Sequence, residues 1–332
     1  MIRKGIGSGK LILFGEHSAV YGFPAIGTPL PLRTELSWIP PEAASNEQED
    51  EPPNSAVKTP DEVGEDRVVF LKLLKKLQFE TANSENFESG IWNRSSGIPR
   101  TGGFGSSAAL CVAVSRVALN RPTREYDVEV HGLASRLEKL FHGKPSGIDT
   151  GMASDNGVSS WFRSLQGPPR RRAVYIPRWY IIYGAILRDR STADSILQLD
   201  HRADKTPLEE LGKIAANFLD IIAEGSQDEN FASAASGLVN HAQEVLASLN
   251  LSNSTLDRIF ELAKKHGADG GKLSGGGGGG AFFICARSRK IRNEILENLP
   301  PCLAEEGIKL SFPLRPLDFN GHPPESSIRH SS

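Results

Sequence analysis

Six consecutive glycines, Gly275 to Gly280, constrain this 332-residue chain more than any other stretch. Inside regular structure each glycine costs roughly 0.5–1 kcal/mol relative to alanine, so a run of six is either a flexible linker or a place where bare backbone is required. Its flanks, Lys272-Leu273-Ser274 and Ala281-Phe282-Phe283, include a strong apolar strand signal at Ala281–Ala286, which favours close approach of the backbone to a ligand or to another part of the protein. The run satisfies G-x-G-x-x-G trivially, and no dinucleotide-binding helix follows it.

A second glycine cluster, Gly102-Gly103-Phe104-Gly105, leads into Ser106-Ser107-Ala108 and an Ala/Val-rich segment without Gly or Pro. The pattern predicts a helix over 107–119 that opens directly from a glycine loop. Glycines let several backbone N–H groups converge on a phosphate, and the helix start adds its dipole. The same residues also make a tight capped turn with no ligand. A Walker A loop is excluded, because Gly5 to Lys10 has the wrong spacing and is followed by Leu11 where Ser or Thr belongs.

A third group is polar: Lys10, Glu16 and His17 near the start, and Glu138, His142, Ser146 and Asp149 around the string HGKPSGID. A carboxylate facing a phosphate site is useful as a metal ligand or a base; otherwise it repels substrate. Each of these residues alone is equally a surface charge or a cap, and His142 can cap the helix of residues 131–141.

The rest of the chain bounds the problem. Lys and Arg number 38 against 40 Asp and Glu, a net charge of −2, so no broad basic face holds nucleic acid. Arg170-Arg171-Arg172 lies beside two prolines, has no aromatic platform, and is read as a turn at the domain boundary. Cys111, Cys285 and Cys302 form neither a disulfide framework nor a zinc spacing, which fits a reducing cytoplasm. The apolar run Leu11–Phe14 is too short for a secretory core or a membrane span. Residues 41–66 carry nine acidic side chains against Lys58 and read as a mobile loop, and 317–332 reads as a frayed tail. Helical spacing recurs at 68–77, 208–222, 238–249, 256–266 (closed by Gly267) and 291–299.

Three separated strings, GKLILFGEHSAVYGFPAI (Gly9–Ile26), IPRTGGFGSSAAL (Ile98–Leu110) with HGKPSGID (His142–Asp149), and KLSGGGGGGAFF (Lys272–Phe283), occur in an order that resembles the GHMP kinase superfamily. GEHSAVYG and HGKPSGID are similar to the mevalonate kinases within it. The resemblance implies an α+β fold of two domains, an N-terminal ribosomal S5 domain 2-like domain (1–172) and a C-terminal ferredoxin-like domain (173–316), with the active site between them. It also implies ATP and Mg²⁺ as cofactors and mevalonate as the small-molecule partner. No nucleic acid or membrane partner is expected, and family members are often homodimers.

Roles follow from the resemblance. Gly102, Gly103, Phe104, Gly105, Ser106, Ser107 and Ala108 would wrap the ATP phosphates; Ser107 and Glu138 would hold Mg²⁺. Asp149 would face the C5 hydroxyl, with Lys10 favouring its alkoxide. Glu16, His17 and Ser146 would contact substrate, His17 as a cation for its carboxylate, and Gly275, Gly276, Gly277 and Gly278 would support the phosphate loop. One departure is Ile186 in ILRDRST, where the family usually has Thr before an Arg-x-Thr matched here by Arg190, Ser191 and Thr192. That departure keeps another small-molecule GHMP kinase open, and a non-catalytic nucleotide-binding regulator is the rival of a different class.

Overall fold

The structure is a computed structural model of the chain and describes residues 1–44, 65–81, 86–100, 102–142, 145–163, 169–189, 194–195, 199, 204–225 and 228–319. It divides into two compact units that exchange segments. The first comprises Met1–Lys10, Pro29–Ile98 and Gly105–Asn156, and the second Leu11–Thr28, Pro99–Phe104 and Gly157–Ser332. Both mix helix and sheet, as the α+β expectation has it.

In the first unit, strand β1 (Arg3–Phe14) contributes its opening residues, β2 (Pro24–Ile39) its later ones, and β3 (Ile91–Ser96) pairs antiparallel with β2 from Thr34 to Ile39. Helices α1 (Pro41–Ala44), α2 (Glu65–Thr81), α3 (Ser106–Ala118), α4 (Val128–His142) and α5 (Ile148–Ser154) complete it. The acidic segment is therefore helical at 41–44 and again from residue 65, while 45–64 lies outside the described residues.

Helix α3 is buried on every side from Ala108 to Ala118, in keeping with a composition that is apolar apart from Ser115 and Arg116. It packs in one core with Phe70, Leu73 and Leu77 of α2 and Val130, Leu133 and Leu137 of α4. Gly5 and Gly7 of β1 let its backbone touch the strand: a Cβ at Gly7 would lie 1.9 Å from the Ala109 carbonyl oxygen, and one at Gly5 2.0 Å from that of Ala113. Arg116 is buried in the same interior and donates to the carbonyls of Ile6, Glu125 and Ser154, while burial pushes its pKa down to about 10.

In the second unit, β4 (Ser159–Phe162) pairs with the first residues of β2 and with β5 (Arg170–Ala173). The three arginines read as a turn are thus a strand, in a sheet of order β1-β2-β4-β5 with β3 on β2. They end that order, where charged side chains discourage pairing with another chain. A second sheet, antiparallel throughout, has the order β7-β8-β6-β9, from β6 (Trp179–Ile186), β7 (Gly270–Leu273), β8 (Gly280–Ala286) and β9 (Leu310–Phe319). Strand β6, paired on both sides, is buried along its whole length, as its unbroken apolar run requires.

Helices α6 (Thr206–Ala223), α7 (Asp228–Ser248), α8 (Ser254–Lys265) and α9 (Arg289–Glu305) follow the expected spacings. Asn253 and Ser288 cap α8 and α9, and Gly267 takes the left-handed conformation expected past α8. Trp179 stacks on Phe319 with centroids 6.3 Å apart, so β9 runs through Leu317 to Phe319, which the sequence reading assigned to the tail; 320–332 lies outside the described residues.

Gly7→Ala is expected to lower stability by about 2 kcal/mol or more, because the new methyl group meets backbone and not a side chain that can turn aside. Gly157→Ala, which opens into free space, should stay within about 0.5 kcal/mol. Urea denaturation midpoints of the two variants check this.

Candidate active site

The glycine loop and helix α3 form the first feature. Gly105 is the N-cap of α3 with φ 76° and has no side chain to cap the first-turn N–H groups, which are the kind of donors that a phosphate requires. A Cβ at Gly105 would stand 2.9 Å from Lys10 Cγ; the bare Cα lets the lysine stem lie against the helix start. Earlier in the loop, Gly103 has φ 77°, and its missing Cβ would meet Arg188 Nη2 at 2.7 Å and the Ala281 nitrogen at 3.1 Å. The Phe104 ring turns away into the second unit's core, edge-on to Tyr183 and Phe312, leaving only backbone to the loop.

In the first unit the charged residues converge. Lys10 Nζ is 3.3 Å from Asp149 Oδ1, with Lys10 only 4% exposed and the Asp149 side chain 39% exposed. Asp149 lies in the first turn of α5, which starts at the left-handed Gly147. The Ser146 hydroxyl accepts from the Ile148 N–H at 3.2 Å, so in this structure it shapes that turn. His131, buried in α4, donates through Nε2 to the Gly147 carbonyl at 2.7 Å, while its Nδ1 meets the Tyr126 hydroxyl at 3.0 Å. Burial lowers the His131 pKa, consistent with a neutral ring holding the turn that carries Asp149.

Glu138 is buried, and neither carboxylate oxygen finds a hydrogen-bond partner among the described residues. Its pKa is pushed up to about 8, first by desolvation and then by the Asp149 charge, with Lys10 opposing. An unpartnered buried carboxyl is costly unless a cation joins it. One turn further along α4, His142 Nε2 lies 3.1 Å from Ser107 Oγ, and the contact carries the Ser107 hydroxyl onto the helix that bears Glu138. No three His, Cys, Asp or Glu side chains gather into a metal cage among the described residues. Two protein oxygen donors completed by phosphate oxygens and water are the usual arrangement for Mg²⁺, so Ser107 and Glu138 fit that ion as a donor set.

In the second unit, Gly15 and His17 both take positive φ, 88° and 63°, around Glu16. A Cβ at Gly15 would clash with the Pro24 carbonyl at 2.1 Å, and the left-handed His17 stores roughly 1–3 kcal/mol of strain. Glu16 forms a buried ion pair with Lys272. The positive charge expected on His17 is absent: desolvation pushes its pKa down to about 4, with a Gly275 backbone contact opposing and Lys272 reinforcing the shift. Its ring is neutral at pH 7, so it acts in the ligand-free chain by hydrogen bonding and not by charge.

The glycine run is no linker. All six residues are buried; Gly275, Gly277, Gly278, Gly279 and Gly280 have positive φ, and a Cβ at Gly279 would lie 2.5 Å from the Leu187 carbonyl oxygen.

The structure thus gathers Lys10, Glu138, Ser146, Asp149 and Gly105–Ala108 in one unit, and Glu16, His17, Gly102–Phe104 and Gly275–Gly278 in the other. Gly143, Lys144, Arg190, Ser191 and Thr192 lie outside the described residues. Sequence reasoning left Lys272, Arg188 and His131 without roles. Lys272 and Arg188 stand inside the strings KLSGGGGGG and ILRDRST, whose composition gave a signal, whereas nothing in the sequence ties His131 to Gly147.

Comparison with known proteins bears on the family and the fold. The profile described as GHMP kinases N terminal domain matches residues 68–155, and GHMP kinases C terminal matches 222–302. The mevalonate kinase of Pyrococcus horikoshii is 29% identical over 305 residues, covering 85% of this chain and 88% of that protein. That of Pyrococcus furiosus is 27% identical over 337 residues, covering 91% and 96%. Among solved structures, L. major mevalonate kinase in complex with R-mevalonate has a TM-score of 0.74 at 21% identity, covering 97% of each chain. The Streptococcus pneumoniae phosphomevalonate kinase reaches 0.70 at 14% identity, covering 96% and 99%. No helix among the described residues is long and apolar enough to cross a membrane.

The Glu138 carboxyl supports a pH prediction for the metal-free protein. Its folded pKa lies above the unfolded value of 4.5, so the folded state holds the proton longer, and the group's contribution to stability is lost as pH rises from about 4.5 through 8. Glu138→Gln should leave stability nearly unchanged at pH 4.5 and raise it by about 4 kcal/mol at pH 8. Thermal melts of both proteins across this range, in chelator, measure the difference.

Proposed function

This chain belongs to the GHMP kinase family, and we propose that within it the protein transfers the γ-phosphoryl group of ATP to the C5 hydroxyl of mevalonate, giving 5-phosphomevalonate and ADP. The carrying observation is the Lys10–Asp149 pair: the acid is half-exposed and able to meet an alcohol, and the lysine behind it is buried and touches the start of the phosphate-binding helix. Such a pair orients a hydroxyl and accepts its proton. The Lys10 ammonium also stabilises negative charge developing on the attacking oxygen.

In the transfer, the substrate oxygen forms a bond to the γ-phosphorus, the bond from that phosphorus to the bridging oxygen breaks, and the hydroxyl proton passes to Asp149. Phosphoryl transfer has a loose transition state, so alignment and electrostatic stabilisation supply most of the acceleration. The donors of the Gly102–Ala108 loop and α3 hold the phosphates in place. Ser107 and Glu138 would hold Mg²⁺, which when bound neutralises phosphate charge. The ion would also lower the Glu138 pKa by stabilising its carboxylate.

A second reading, a GHMP kinase for another small alcohol, is favoured by Ile186. This residue is buried at the end of β6, opposite Gly280, and carries no hydroxyl where the resemblance leads one to expect it.

Coupled ADP release with Mg-ATP, comparing mevalonate, phosphomevalonate, galactose and homoserine, separates the readings. Turnover is expected with mevalonate alone; turnover with another alcohol only would keep the kinase and replace the substrate, and none with any would leave a nucleotide-binding regulator. Asp149→Asn should fold and bind ATP while kcat falls by about 10²-fold or more, and turnover within a few-fold of wild type would remove Asp149 as the base. Ser107→Ala should need more Mg²⁺ for half-maximal rate, and an unchanged Mg²⁺ titration would reject it as a ligand.

A further inference from the structure

Lys272 is fully buried, and the reaction as described gives it no task. Its ammonium is nonetheless committed three ways: to the Glu16 carboxylate, to the Leu273 carbonyl at 2.7 Å, and to the face of Phe283 with the centroid at 5.3 Å. A buried ammonium persists only with such satisfaction, and Glu16, equally buried, depends on it in turn. Glu16 stands at the apex of the strained turn from Gly15 to Ser18, where Ser18 N–H donates to the Glu16 carbonyl at 2.8 Å and Ser18 Oγ to the Gly15 carbonyl at 3.3 Å. The next side chain is His17, whose Nε2 is buried and has no hydrogen-bond partner among the described residues. A contact of the His17 ring with the Gly275 backbone favours the protonated ring, as donation to the carbonyl does, and since Nε2 has no hydrogen-bond partner among the described residues we assign the donor as Nδ1.

We propose that Lys272 is a positioning residue for the alcohol substrate: by clamping Glu16 it holds the Gly15–Ser18 turn in the one conformation that gives His17 a fixed tautomer, with Nδ1–H on Gly275 and an Nε2 whose hydrogen-bonding capacity no described residue uses. The clamp and its target lie on chain segments 256 residues apart, Lys272 on β7 and Glu16 just after β1. Ser274, two residues past Lys272, ties the same segments by accepting from the Ile12 N–H and donating to the Ile12 carbonyl, both at 2.9 Å. Lys272 touches no phosphate-loop residue in the contacts described, so its influence falls on the alcohol and not on ATP.

The inference rests on the reading of this protein as a mevalonate kinase, and its test keeps the two separable. Wild type, Lys272→Met, Glu16→Gln and the double variant are compared by steady-state kinetics. The double variant leaves no unpaired buried charge and covers the case in which Lys272→Met fails to fold. Lys272→Met, or the double variant in its place, should raise KM for mevalonate by about tenfold or more, with KM for Mg-ATP within twofold. Adding Lys272→Met to Glu16→Gln should change kinetics less than twofold, because the lysine acts through Glu16. Unchanged KM for mevalonate, equal shifts in both KM values, or multiplicative effects would each overturn the proposal. Wild type inactive on mevalonate would instead count against the proposed function. The remaining measurement needs no substrate: ¹⁵N NMR of the His17 ring should show one neutral tautomer in wild type and averaging in the double variant. An identical tautomer in both would refute the clamp whatever the alcohol.

Discussion

The contact between β1 and α3 is the constraint on which the first unit's chemistry depends. Because Gly5 and Gly7 carry no side chains, the helix backbone at Ala109 and Ala113 lies directly on the strand. Strand β1 passes Lys10 as it leaves that contact, and the helix begins at Ser106 beside it, so the cation and the anion-binding helix start come together through backbone packing alone. Gly105 completes the arrangement, since any side chain there would displace the lysine stem. A buried helix, largely apolar along its length, is thereby fixed with its N-terminus beside Lys10.

Against that frame two carboxyl groups in one unit are driven apart in behaviour by their surroundings. Asp149 is half-exposed and lies 3.3 Å from the Lys10 ammonium. Glu138 is buried with no hydrogen-bond partner among the described residues, and burial pushes its pKa up to about 8. Carboxyls separated in this way can divide the work of a transfer site, one taking a proton from the nucleophile and the other receiving a cation. A core selected for stability alone would not keep Glu138, whose uncompensated burial is a standing penalty.

The parts legible in the sequence were those with local causes. Helical spacing located α2, α4, α6 and α8, and the strings GGFGSS and GGGGGG marked backbone that must approach something closely. What escaped has tertiary causes. Strand β9 contains Pro313 and Pro316 and its last residues read as tail, yet it stands at the edge of its sheet, where a missing N–H can be tolerated. The arginines of β5 hide a strand under residues that suggest solvent. Lys10 and Asp149 are 139 positions apart, and no spacing rule links them; their pairing came from family resemblance and is seen as a contact only in the fold. The charge on His17 was misjudged because its pKa depends on burial and on Lys272, which sequence proximity does not reveal.

The two lysine–carboxylate pairs show how one kind of contact serves opposite ends. Lys272–Glu16 is closed to water on both sides. Its value lies in geometry, since a clamp that cannot exchange with solvent keeps a strained turn from relaxing. Lys10–Asp149 is closed on the lysine side and open on the acid side. The open acid can exchange its contact with lysine for one with an incoming hydroxyl, and the buried lysine cannot follow it into solvent. Exposure of the acid, more than the identity of the pair, decides which of the two can carry chemistry.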